Sequence, residues 1–142
     1  MRAISRRATL GLALLPFAAL ASEDALHAAI RAEIGDATPQ EGGITLRVPA
    51  VAENGGQVPV TVLVDSPQSV TRHVTAIHLF ATRNPTPGIA SFRLAPALAR
   101  AEIQTRIRLA EKQALIVLAR MNDGTVLRAA AEIRVGTGGC LT

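Results

Sequence analysis

The chain has 142 residues, 49% hydrophobic and 18% charged, with a formal net charge of +4, one Cys, three Phe and neither Trp nor Tyr. That length and hydrophobic content fit a single folded domain and exclude disorder as the main state. The lone cysteine excludes an intramolecular disulfide and a Cys-rich zinc site, and so few aromatics argue against a nucleic-acid platform that stacks bases.

In chain order, residues 1–21 carry Arg2, Arg6 and Arg7 ahead of an apolar run of about 14 residues, short of the roughly 20 that a spanning helix needs. The run closes on Ala19-Leu20-Ala21, with small residues at both positions a signal peptidase reads, which predicts cleavage before Ser22. Ser5-Arg6-Arg7 followed by Leu10 resembles a twin-arginine export signal, with Thr9 standing where an aromatic is usual. Removing residues 1–21 takes away three of the 15 basic residues and no acid. That leaves 12 against 11 and a net charge of +1. The electrostatic case for nucleic acid or an anionic membrane largely leaves with the leader, and the expected compartment is the periplasm.

Ser22 to Gly35 is predicted as a short helix. Ser22 is placed at its cap, Glu23 and Asp24 meet the positive end of the dipole, and Leu26, Ala29, Ile30 and Ile34 share one face. From there the period changes to two. Ile44 to Val48 is a strand, Asn54-Gly55-Gly56 a turn, and Val58, Val60, Val62 and Val64 line one face of the next strand. Val74 to Arg83 follows, broken by Asn84-Pro85-Thr86-Pro87-Gly88, then Ile89 to Ala95 and Ala101 to Ala110. In the last of these Ile103, Thr105, Ile107 and Leu109 oppose Gln104, Arg106 and Arg108. Ala114 to Met121 and Thr125 to Val135 are joined by Asn122-Asp123-Gly124, a hairpin signal. About seven short strands predict an all-β fold over residues 22–135, an immunoglobulin-like antiparallel β-sandwich with a short N-terminal helix.

Residues 136–142 read Gly-Thr-Gly-Gly-Cys-Leu-Thr. Gly136, Gly138 and Gly139 predict a flexible arm that carries Cys140, with a reach of roughly 16 Å from Val135. An unpaired thiol in an oxidising compartment forms mixed disulfides or oxidises further. No cation adjoins Cys140 in sequence, so an unperturbed thiol there is only a few per cent thiolate at neutral pH, a poor nucleophile unaided. The residues by themselves leave three readings open: a carrier thiol, an interchain disulfide on an exported binding or assembly module, and an incidental cysteine.

Ala52-Glu53-Asn54-Gly55-Gly56-Gln57-Val58-Pro59-Val60, Val64-Asp65-Ser66-Pro67, Ile77-His78-Leu79-Phe80-Ala81, Asn84-Pro85, Thr105-Arg106-Ile107-Arg108-Leu109-Ala110, Asp123-Gly124 and Gly138-Gly139-Cys140 form an ordered set that resembles SoxY. This is the sulfur-carrier family of the periplasmic thiosulfate-oxidising system. The resemblance implies a β-sandwich that pairs with a SoxZ-like subunit and a thiosulfate-derived group joined to Cys140. It also implies successive presentation to a haem-containing ligating enzyme, a sulfate-releasing hydrolase and, in some systems, a sulfane dehydrogenase. The chain itself would be no enzyme and would need no cofactor. Leu141-Thr142 depart from the pattern, in which glycines follow the cysteine.

His27, His73 and His78 lack metal-ligand spacing, and Ser66 lacks a Gly-x-Ser-x-Gly setting. Arg106 and Arg108 stand as a possible contact for an anionic sulfur group, or simply as an exposed strand face.

Overall fold

The computed structural model describes residues 17–137, with side chains from Ser22 to Gly136. The rest of the predicted leader and residues 138–142 lie outside the described residues.

Helix α1 (Phe17–Ile34) starts before the expected Ser22 and runs across the expected cleavage point. Ala18 to Ala21 are good helix formers and nothing between them and Ser22 breaks the backbone. Ser22 therefore sits inside the helix, and its Oγ donates to the Thr82 carbonyl at 3.2 Å in place of capping. The helix stops where expected. Gly35 takes φ +62°, a left-handed turn that a side chain disfavours, and its N–H bonds the Arg31 carbonyl at 2.8 Å.

Among the described residues nine strands follow: β1 (Gln40–Glu41), β2 (Ile44–Arg47), β3 (Val51–Asn54), β4 (Val58–Val64), β5 (Val74–Ala81), β6 (Gly88–Arg93), β7 (Ala101–Ile107), β8 (Gln113–Met121) and β9 (Val126–Thr137). One sheet has the order β1-β9-β8-β5-β6, with β3 also beside β9. The second is β2-β4-β7. The seven expected strands are all present, and their mutual ladders are antiparallel. β1 and β3 were not expected. Both are short and pair parallel with β9, so the sandwich is not wholly antiparallel. They cover the edge of β9 that β8 leaves open, where unpaired backbone groups would otherwise remain.

Between the sheets, Val58, Val60, Val62 and Val64 of β4 meet Ile77, Leu79, Leu115, Val117 and Ile133, all buried. On the other face of the larger sheet, Phe80, Ile116 and Leu118 pack beneath Leu26 and Ile34 of α1. β5 and β8 are thus buried on both faces, which is why their apolar runs hardly alternate. β7 does alternate as expected, with Arg106 and Arg108 exposed and Ile103, Ile107 and Leu109 buried.

Candidate functional site

β9 outlasts its hairpin partner. The β8 ladder ends at Gln113 opposite Ile133, and beyond it β9 is held by β3 alone, through Val51–Arg134, Ala52–Val135 and Asn54–Thr137. The Arg134 N–H also bonds the Ala50 carbonyl at 3.0 Å. This changes the expected arm. Gly136 lies within a paired strand, so the ordered ladder runs to Thr137 and not to Val135. A Cβ at Gly136 would lie 3.4 Å from the Glu53 carbonyl oxygen, an ordinary contact with the neighbouring β3 backbone. Gly138, Gly139 and Cys140 lie outside the described residues.

The end of β9 belongs to a pole of loops that are tied together by backbone and buried amides. Asn54 of β3 pairs with Thr137, and its Oδ1 accepts from the Gly56 N–H at 2.8 Å, which shapes the turn into β4. The Gly55 carbonyl accepts from the Leu109 N–H at 2.8 Å, which joins that turn to the segment after β7. Asn84 is buried in the loop after β5. Its Nδ2 donates to the Arg108 carbonyl at 2.8 Å, while its Oδ1 accepts from the Ala110 N–H at 3.1 Å and from Gln113 Nε2 at 2.8 Å. Gln113, also buried, accepts the Arg83 N–H on its Oε1 at 2.7 Å. A residue that sequence reading treated only as a loop breaker therefore locks three segments together, and its place among the family-like residues was the signal available.

Asn84, Pro85, Thr86 and Ile89 line a cleft of about 400 Å³ together with Arg106, Ile107 and Arg108. Two ion pairs lie near it. Arg83 meets Glu111 at 3.4 Å and Lys112 meets Glu132 at 2.9 Å. The Lys112 hydrogen bond and charge hold the Glu132 carboxyl below its usual value. Among the described residues Arg106 and Arg108 meet no carboxylate within ion-pair distance.

A second polar cluster lies beneath α1. His78 Nδ1 is 2.8 Å from Ser91 Oγ and 3.3 Å from Glu33 Oε2. Burial lowers the His78 pKa and outweighs the opposing pull of Glu33; Arg120 and Arg93 lower it further. A nucleophilic relay needs one ring nitrogen for the serine and the other for the acid. Here one nitrogen faces both, so the cluster ties the helix to the sheet and does not activate Ser91. His27 is exposed on α1, and His73 Nδ1 is 2.9 Å from the Ser69 carbonyl oxygen, so the three histidines do not meet. Ser66 Oγ is buried with no hydrogen-bond partner among the described residues. No group of three or more metal-ligating side chains occurs among the described residues, and none of their helices is long and apolar enough to cross a membrane.

Comparison with known proteins gives a family. The family model for sulfur oxidation protein SoxY matches residues 30–140. The structure of the sulfur carrier protein SoxY from Chlorobium limicola f thiosulfatophilum matches with TM-score 0.67 and 34% identity. The match covers 80% of this chain and 97% of that one. Superoxide reductase (neelaredoxin) from Ignicoccus hospitalis matches with TM-score 0.58 and 17% identity, over 66% of this chain and 80% of that one. Superoxide reductase from Nanoarchaeum equitans matches with TM-score 0.56 and 13% identity, over 68% and 98%. At such identities these two show the shared fold alone. Among curated proteins no match is found.

Proposed function

Because the chain belongs to the SoxY family, we propose that it is a periplasmic sulfur carrier that holds thiosulfate-derived sulfur covalently on Cys140 and presents it to partner enzymes. The observation that carries this reading is the family match itself, whose span ends on Cys140, together with 34% identity to a sulfur carrier protein. The twin-arginine-like leader is the basis for the compartment.

β9 and β3 support the mechanism. A load-carrying thiol needs a fixed base and a free tip. The ladder to Thr137 supplies the base, and in sequence Gly138 and Gly139, of the residue type that restricts the backbone least, separate it from Cys140. Counted from Thr137, Cys140 is three residue steps away, a reach of about 10 Å, shorter than the reach counted from Val135. Loading joins Cys140 Sγ to the outer sulfur of thiosulfate. The new S–S bond forms with loss of the thiol proton and of two electrons, which the haem-containing ligating enzyme takes up. A hydrolase then adds water across the S–SO₃ bond, which releases sulfate and leaves a persulfide on Cys140. The chain supplies attachment and presentation, and the enzymes supply the chemistry. A SoxZ-like subunit is the proposed heterodimer partner.

The test is growth and thiosulfate oxidation by strains carrying Cys140→Ser and Cys140→Ala. Loss of oxidation in both, with the protein still exported and folded, supports the carrier. Normal oxidation in either sinks it. Oxidation abolished in both but restored by any engineered disulfide to the partner would assign Cys140 to assembly.

A further inference from the structure

The polar cluster beneath α1 does more than tie the helix down, because it borders a cleft with an excess of positive charge. We propose that this cleft, between Arg93 and Arg120, is a binding site for a small free tetrahedral oxyanion such as sulfate. It involves neither Cys140 nor the carrier reading.

The strand register builds the site. Ala76 of β5 stands opposite Arg93 of β6 on one side and opposite Arg120 of β8 on the other. Residues paired across antiparallel strands share a face, so both arginines flank the small alanine on the face that carries His78 and Phe80 toward α1. Their backbones lie two strand spacings apart, about 10 Å, and two long side chains can converge over the alanine methyl. In the next row His78 stands opposite Ser91. β5 carries one extra residue at Thr75, a bulge that brings Thr75 and Ala76 together into the cleft, and Thr75 Oγ1 donates to the Arg120 carbonyl at 3.0 Å. The cleft measures about 310 Å³, room for several waters or one small polyatomic ion.

Charge decides what kind of ligand fits. Neither Arg93 nor Arg120 meets a carboxylate within ion-pair distance among the described residues. Arg120 Nη1 donates to the Glu33 carbonyl at 3.3 Å, which answers the negative end of the helix and leaves its other donors free for a ligand. A planar guanidinium presents paired N–H groups that match the edge of a tetrahedral oxyanion. Other exposed arginines, Arg106, Arg108 and Arg134 among them, also lack a carboxylate. This pair differs in converging across one residue beside a buried imidazole, His78 being 5% exposed. One carboxylate opposes the ligand: Glu33 is turned to His78 at 3.3 Å and to Ser91 Oγ at 3.5 Å. Two arginines against one carboxylate leave the lining at +1 with His78 neutral and at +2 with it protonated.

The site is therefore coupled to pH. The charged groups around His78 are Glu33 from α1, Arg93 from β6 and Arg120 from β8, and no other titratable side chain lines the cleft among the described residues. An anion between the arginines favours the imidazolium that burial opposes. Binding takes up a proton, so the anion binds more tightly as pH falls through the His78 pKa, which lies below 6.5 in the free chain. The same proton turns the His78–Glu33 contact into an ion pair, and occupancy tightens the end of α1 on the sheet. Solvent around the exposed arginines keeps the affinity on the order of millimolar.

The experiment uses the full exported chain, ¹⁵N-labelled at arginine and kept with any subunit it retains on purification. Sodium sulfate is titrated at about pH 5.5 and about pH 7.5, with sodium chloride holding the ionic strength constant. The Arg93 and Arg120 Nε–H signals, assigned with Arg93→Gln and Arg120→Gln, should shift saturably, while those of Arg106, Arg108 and Arg134 do not saturate. Sulfate should bind several-fold more tightly at the lower pH, and His78→Gln should remove that difference. Glu33→Gln should tighten binding, and each arginine variant should weaken it about tenfold. Arg93 and Arg120 signals that merely follow the other arginines overturn the site. Equal saturation with sodium acetate would show a seat for a single carboxylate, such as an acidic side chain of a partner, and overturns the oxyanion ligand. Equal affinity at both pH values overturns the coupling to His78.

Discussion

Replacing Asn84 with alanine removes three hydrogen bonds at once: to the Arg108 carbonyl at 2.8 Å, from the Ala110 N–H at 3.1 Å and from Gln113 Nε2 at 2.8 Å. Gln113 Nε2 keeps a second acceptor, the Glu111 carbonyl at 3.1 Å, so two backbone groups bear most of the loss. At roughly 0.5–1.5 kcal/mol for each bond, and more for a buried group left unmet, the expected cost is about 3 kcal/mol. For a domain of this size about 1 kcal/mol moves Tm by roughly 4 °C, so Asn84→Ala should melt about 12 °C lower. Urea unfolding followed by circular dichroism measures it, with an unchanged m-value showing that the same surface unfolds. Asn84→Asp tests the donor alone, since its carboxylate still accepts from Ala110 but cannot donate to the Arg108 carbonyl. A loss of under about 1 kcal/mol in Asn84→Ala would refute the claim that this side chain locks the pole, because it would equal a single average hydrogen bond.

Other expectations are smaller and independent. The His78 pKa is lowered by burial from its ordinary value of 6.5, so the unfolded chain binds the proton more readily than the folded one. Its contribution is full above pH 6.5 and is lost as pH falls from there toward the folded-state value; His78→Gln should flatten that part of the stability profile, and an unchanged profile would contradict it. Gly136→Ala should leave stability unchanged or raise it by roughly 0.5–1 kcal/mol, since a strand gains from a Cβ and this one meets only ordinary contacts. A loss of thiosulfate oxidation in that variant, with folding intact, would mean that Gly136 serves the arm after all. Leu141→Gly should preserve or raise turnover with the partner enzymes, measured as sulfate released per carrier; a large loss would show that Leu141 is itself recognised.

Elements fixed by local pattern were legible in the sequence. The alternation of Val58 to Val64 and the Asn122-Asp123-Gly124 turn carry their own geometry, and both stand where expected. β1 and β3 were not legible, because Gln40-Glu41 and Val51-Ala52-Glu53-Asn54 have no alternation and become strands only against β9. The end of β9 was misjudged for the same reason. Gly136 suggests freedom locally, and only the parallel neighbour β3, more than eighty positions earlier, removes it. Ser22 was read as a helix cap because its residue type favours that place, and the helix formers before it overrode the preference. The polar lock of Asn84 and Gln113 depends on partners 24 to 29 positions apart, which no local pattern encodes. Cys140 was singled out by chemistry, as the one thiol in a chain with an export-like leader.

Whether Cys140 carries sulfur is read from the intact mass of protein isolated without reductant from thiosulfate-grown cells. A sulfur carrier would show a population bearing one thiosulfate-derived group or a persulfide, mapped to Cys140 and lost on reduction. Only free thiol, or only a disulfide to another chain, under the same growth conditions would contradict it.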